Sequence, residues 1–156
     1  MHRHTYRASV NDKLCKLFAS FGILLHKSLA KILFIHFDDV DHAGHTFGWK
    51  SAEYYQAVAQ IDGLIGDILN ALGDVGIREK TVVLMTADHG GKGKSHGGFT
   101  MDELEIPWII SGPGIRRGHE IKAPLNTYDT AATIARIFKL KPPEGWIAQP
   151  VREAFQ

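Results

Sequence analysis

Cysteine is nearly missing. Cys15 stands alone, so no intrachain disulfide can form and no cysteine-based zinc site is available. An excess of one charge is missing too. The 18 Lys and Arg against 17 Asp and Glu leave a net charge of +1, too little to draw the chain onto a nucleic-acid polymer or an anionic membrane through a long-range field. No stretch approaches the ~20 apolar residues that a bilayer-spanning helix needs. The nearest, Phe18–Leu25, is short and closely followed by His26 and Lys27. Internal repeats, low-complexity tracts and a dividing linker are absent as well. What remains is ordinary globular material, 44% hydrophobic and 22% charged, and 156 residues suffice for one domain with a core. The unusual abundance is histidine: nine residues, four of them in two tight clusters.

Met1–Asp12 is polar and rich in His and Arg, and is expected to be a loose end. Phe18–Leu25 behind this basic start, with Ser28-Leu29-Ala30 after it, has the outline of a signal peptide. Cleavage there would begin the mature chain at Lys31, directly in a core strand. The expectation is instead a packed or partner-facing helix over Lys13–Leu29, where Leu14, Leu17, Phe18, Phe21, Leu24 and Leu25 recur near helical spacing.

Ile32–Phe37 is an apolar run broken only by His36 and suits a strand buried in a parallel sheet. Ser51 is a plausible N-cap for a long amphipathic helix to Leu72, with Ala57, Val58, Ile61, Leu64, Ile65, Ile68, Leu69 and Leu72 on one face. Gly73 and Gly76 should stop it. Thr81–Thr86 reads as a second buried strand, running into Ala87-Asp88-His89 and a glycine-rich loop. Thr100 and Glu103 have capping-box spacing. Pro107–Ser111 is a third strand candidate. Thr127 or Asp129 should cap a last helix to about Leu140, ended by Pro142-Pro143. Strand alternating with helix predicts an α/β fold with a mainly parallel sheet. The expected organisation is a tail and helix over residues 1–30, then one catalytic domain over 31–156.

In open α/β sheets, ligand sites lie beyond the carboxyl ends of strands, and both clusters fall there. Asp41 and His45 follow the first strand; Asp88 and His89 follow the second, with His96 beyond. Carboxylate oxygen and imidazole nitrogen suit zinc and similar divalent ions. A spacing of four places Asp41 and His45 on one side of a helix. Gly44 would leave room for a close approach of backbone and metal. Adjacent Asp88 and His89 point apart, so they suit two neighbouring ions, or one ion reached from a kinked turn. An Asp after a strand is often only a cap or turn former, but two such clusters, each ending a strand, favour metal binding. His42 reads as a neighbour of the site rather than a ligand and His36 as packed in the strand. His2, His4, His26 and His119 have no partners in sequence. Gly93-Lys94-Ser95 has the look of a phosphate-binding loop end, but the first glycine of that motif falls on Asp88 and the match fails. A Gly-x-Ser-x-Gly elbow is absent.

The run FDDVDHAGHTFGW (Phe37–Trp49) resembles the metal-binding segment of type I phosphodiesterases and nucleotide pyrophosphatases, of the alkaline phosphatase superfamily. TVVLMTADHGGKGKSHGG (Thr81–Gly98) resembles their second metal segment, and IPWIISGPG (Ile106–Gly114) and DTAATI (Asp129–Ile134) fit the same pattern. The resemblance covers about Ile32–Trp146. It implies part of a three-layer alkaline-phosphatase-like fold, and two divalent ions, zinc with manganese as the alternative. Asp41, His45 and His96 would hold one ion, and Asp88 and His89 would contribute to the other. It also implies hydrolysis of a small-molecule phosphate mono- or diester through a Thr or Ser nucleophile. No match to that nucleophile, nor to the aspartate after the first strand of the fold, is found in Met1–Leu29. The expectation is therefore the C-terminal half of such an enzyme, weak or inactive alone, prone to self-association or in need of a complementing half. Within the superfamily, a cofactor-independent phosphoglycerate mutase or a sulfatase is the rival, although Cys15 lacks the setting of a sulfatase nucleophile. A non-catalytic metal-binding or interaction module is the rival from another class.

Overall fold

In the computed structural model of the chain, residues 5–8 and 31–156 are described. The expected helix over 13–29 and the signal-peptide outline lie outside them. The described residues fall into two compact units. The first draws on 5–8, 31–81 and 89–106, the second on 82–88 and 107–156. The division follows strand pairing, which joins two early strands to each other and two late ones to each other.

In the first unit, residues 5–8 are not a loose end. They form β1 (Thr5–Ala8), parallel to β2 (Phe34–Phe37), with Thr5 opposite Phe34 and Ala8 opposite Phe37. β2 alternates rather than being covered on both faces: Phe34 and His36 are exposed, Ile35 and Phe37 half-buried. His36, expected to be packed, therefore lies on the open face, as the period of two demands. Helix α1 (Asp39–Phe47) starts almost at once, with Asp39 and Asp41 in its first turn, where the helix dipole favours acids.

Helix α2 (Ala52–Asp74) is capped as expected. Ser51 Oγ accepts the Tyr54 N–H at 3.1 Å. At 1.5 Å per residue it is roughly 35 Å long. Its predicted stripe is the covered one: Ala57 and Leu72 are buried, Ile61, Leu64, Ile65, Ile68 and Leu69 half-buried, and only Val58 is exposed. Gly73 lies inside the last turn. Gly76, at φ 71°, is the residue that turns the chain away. Helix α3 (Met101–Leu104) carries the predicted capping box: Glu103 Oε2 accepts from the Thr100 hydroxyl at 2.7 Å and its N–H at 3.3 Å.

In the second unit, β3 (Val83–Thr86) pairs antiparallel with β4 (Trp108–Ser111), Val83 opposite Ser111 and Thr86 opposite Trp108. The fold class is thus mixed α/β, with one parallel and one antiparallel pair, and the described residues do not form the mainly parallel sheet that the alternation suggested. The reason lies in the connection. A parallel return requires a long crossover, usually a helix, whereas a glycine loop and the single turn α3 link β3 to β4. Helix α4 (Asp129–Ile137) is shorter than expected and has no side-chain cap from Thr127. Asp129 is instead its first residue, buried, with one carboxylate oxygen accepting the Asn126 N–H and the other the Gln149 N–H, each at 2.8 Å. Lys139, at φ 54°, ends the helical path ahead of the proline pair. The core here is Ala132, Thr133, Ala135, Ile115, Val151 and Ala154. Thr133, fully buried, donates to the Asp129 carbonyl at 2.8 Å and accepts the Val151 N–H at 2.9 Å, pinning the tail. Among the described residues no helix is long and apolar enough to cross a membrane.

Candidate metal centre

Three of the predicted residues converge in the first unit. Asp41 and His45 occupy one face of α1, and His96 comes from the loop that follows residue 88. One ligand atom of each lies within 4.8 Å of the others. The helical spacing delivers the first pair, with Asp41 Oδ1 and His45 Nε2 3.5 Å apart. That separation is long for a hydrogen bond, which closes to about 3.2 Å or less. It is close to the roughly 3.3 Å that separates two ligand atoms each about 2.0–2.1 Å from a tetrahedral zinc.

Asp41 Oδ1 is buried and accepts no hydrogen bond, although the side chain as a whole is 44% exposed. A buried carboxylate oxygen without a donor is costly, and a cation would remove that cost. Two imidazole Nε2 atoms flank it: His45 at 3.5 Å and His89 at 3.9 Å. Both rings are oriented by backbone carbonyls. His45 Nδ1 lies 2.9 Å from the Lys94 carbonyl, and His89 Nδ1 2.9 Å from the Gly90 carbonyl. A carbonyl only accepts, so Nδ1 carries the proton in each. In the neutral ring, Nε2 then presents a lone pair toward Asp41, the arrangement that metal-binding histidines use. His96 stacks on His89, with ring centroids 3.7 Å apart and planes at 15°. The donor set therefore fits a divalent ion.

The loop is stitched to α1 by several bonds. The Trp49 N–H donates to the Gly93 carbonyl at 2.7 Å, and Lys94 Nζ to the Thr46 carbonyl at 2.8 Å. Lys92 and Ser95 exchange backbone bonds at 2.9 and 3.2 Å. On the far side, the Gly90 and Gly91 N–H groups reach the Glu103 and Asp102 carbonyls at 2.8 Å, and Glu103 Oε1 accepts the Gly98 N–H at 2.8 Å. Those bonds, the Thr100 hydroxyl's first, hold the Glu103 carboxyl below its ordinary range. Lys50 Nζ meets Asp102 Oδ1 at 2.7 Å, lowering the Asp102 carboxyl and raising the lysine. Both groups are exposed, so the pair orients the turn more than it stabilises it.

Asp88 closes the segment 82–88 of the second unit and is exposed, so the adjacent Asp88 and His89 belong to different units. Gly44 does not hold space for a metal as expected. The Trp49 indole fills it: a β-carbon at Gly44 would come within 2.8 Å of that ring. Sequence reasoning missed Trp49 and also Tyr54, whose phenol is pushed up by burial and, in smaller measure, by Tyr55 and Asp41. Both stand in or just after a recognisable motif, but nothing in a linear motif says that an indole will lie on two distant glycines.

The family described as Type I phosphodiesterase / nucleotide pyrophosphatase matches residues 10–105, more than half of the chain. Arylsulfatase K of Danio rerio is 39% identical over 88 residues, which is 53% of this chain and 17% of that protein. Arylsulfatase K of Gallus gallus is 31% identical over 108 residues, 64% of this chain and 20% of that protein. Steryl-sulfatase of Rattus norvegicus is 27% identical over 133 residues, 73% of this chain and 22% of that protein. The chain thus spans about a fifth of the length of these curated relatives. No solved structure matches.

Proposed function

This chain belongs to the type I phosphodiesterase / nucleotide pyrophosphatase family, and we propose that it is the metal-holding part of a phosphate-ester hydrolase of the alkaline phosphatase superfamily. Asp41, His45 and His96 hold one divalent ion, zinc by donor type with manganese as the alternative. Asp88 and His89 contribute to a second ion, a reading that rests on the family resemblance alone. A bound ion supplies Lewis-acid neutralisation of charge on the ester oxygens. The chain's own residues supply the rest of this part of the site. Asp41 and His45 present ligand atoms from a rigid helix, and the Lys94 carbonyl fixes which His45 nitrogen faces the ion. The carrying observation is the buried Asp41 oxygen that lacks a hydrogen-bond donor yet faces His45 Nε2 at ligand spacing.

The substrate is a small-molecule phosphate mono- or diester. The likeness to proteins named arylsulfatase K favours a second reading, a sulfate ester, whose tetrahedral anion presents the same shape. No Thr or Ser of these 156 residues matches the family's nucleophile, so the isolated chain should be weak or inactive. Isothermal titration with Zn²⁺ tests the metal reading: wild type binds, and Asp41→Ala, His45→Ala and His96→Ala each weaken binding. Parallel assays with bis(4-nitrophenyl) phosphate, 4-nitrophenyl phosphate and 4-nitrophenyl sulfate separate the ester classes. Robust phosphodiester turnover by the purified chain, abolished by Asp88→Ala, would overturn the expectation of weak activity.

A further inference from the structure

Trp49 follows α1 and contributes no ligand atom, yet its indole is the piece on which the two halves of the ligand set rest. The ring lies across two glycines from separated parts of the first unit. A β-carbon at Gly44 on α1 would come within 2.8 Å of it, and one at Gly91 on the loop would overlap it more severely. Only hydrogen at both positions lets the ring lie there. The Trp49 ring stands edge-on to His45 at 5.1 Å between centroids and to His96 at 6.0 Å, an arrangement aromatic rings favour. Those two imidazoles come from different elements, and their centroids are 5.0 Å apart. The Trp49 N–H bond to the Gly93 carbonyl fastens the same residue to the loop's backbone.

We infer that Trp49 is a positioning residue of the metal centre. It acts as a wedge seated on Gly44 and Gly91 that sets the spacing between the helix-borne pair Asp41/His45 and the loop-borne His96. The inference rests on the reading that these three bind a divalent ion. The demand on spacing is severe, because a competent site holds its ligand distances to about 0.2 Å. A loop freed from the indole keeps the His96–His89 stack but loses the ring that spaces it from α1. Loss of the wedge should therefore weaken the ion while sparing the hydrogen bond that aims His45.

The test uses the purified chain with Zn²⁺ and Co²⁺ as probes. Zn²⁺ affinity is read by competition with a chromophoric chelator. Trp49→Ala, and Gly91→Ala, which displaces the ring without removing it, are expected to weaken Zn²⁺ by at least about 10-fold, the range found for outer partners of metal sites. Trp49→Phe keeps a flat ring in the slot and should recover most of the affinity. Co²⁺ should quench a share of the tryptophan emission that Trp49→Phe lacks, since the Trp49 ring stands 5.1 Å from the His45 ring. Far-UV circular dichroism checks the fold, and the Co²⁺ quench, which compares wild type with the mildest variant, decides where Trp49→Ala loses helical signal. Zn²⁺ binding by Trp49→Ala and Gly91→Ala as tight as wild type, with Asp41→Ala defective, overturns the wedge and leaves the metal reading standing. A Co²⁺ quench that is the same in wild type and Trp49→Phe overturns it too. A wild-type chain that binds neither ion ends both.

Discussion

Replacing Asp41 by alanine separates what the residue costs from what it provides. Without an ion, Asp41 Oδ1 is a buried oxygen lacking a donor. Such a group costs ~1–3 kcal/mol when fully enclosed, and the low end applies because the side chain is 44% exposed. Asp41→Ala should therefore leave the metal-free chain as stable as wild type, or more stable by up to about 1 kcal/mol. Zinc reverses the order. Four-ligand zinc sites bind with roughly 10–16 kcal/mol, about 3 kcal/mol per ligand, so losing one should cost about 100-fold in affinity. With free zinc at 100 times the wild-type Kd, binding stabilises the wild type by about 2.7 kcal/mol. At the same concentration the variant sits near its own Kd and gains only about 0.4 kcal/mol. Urea unfolding with and without zinc, followed by far-UV circular dichroism, reads both numbers. An equal zinc-dependent gain in the two proteins, or a metal-free variant less stable by 2 kcal/mol or more, refutes the assignment of Asp41 as a ligand held at a cost.

Other outcomes follow from other parts of the chain. Thr133→Val keeps the volume but leaves the Val151 N–H without its acceptor inside the second unit, which should cost ~1–3 kcal/mol. A urea midpoint unchanged from wild type would remove Thr133 as the pin of the tail. Glu103 is held below its ordinary pKa of 4.5 by Thr100 and Gly98, so its contribution is complete above about 4.5 and is lost as pH falls through the lower folded value. The Gly98 amide shift should titrate with a midpoint below 4.5 in wild type and not at all in Glu103→Gln; a midpoint at or above 4.5 contradicts this. Phe99, Ile147, Met101 and Phe34 are 94, 75, 66 and 61% exposed, apolar surface that self-association would remove from water. Static light scattering should therefore show mass rising with concentration, and a monodisperse monomer would count against that.

The readable parts of this molecule were those set by local rules. Ser51 as cap, the stripe of α2 and the Thr100–Glu103 box each depend on neighbours within one or two turns. The spacing of Asp41 and His45 likewise needed only the helical period. His96 was placed by a resemblance of motif, and its meeting with the other two is a tertiary fact. The antiparallel β3–β4 pair is not legible from the alternation of strand and helix, because the link between these two strands contains only the single turn α3. The position of Asp129 at the helix start is legible, but its task is not, since its partner Gln149 lies far along the chain. At Gly44 the space is taken by the Trp49 ring, which no spacing rule contains.

The His45–Lys94 hydrogen bond has a consequence for rates. It joins residues 49 positions apart and aims the imidazole before any ion arrives. Uptake should then keep pace with the shedding of water by the hydrated ion rather than with the folding of a loop. Rapid mixing of chain and zinc should give one phase, linear in concentration, with no slower step behind it.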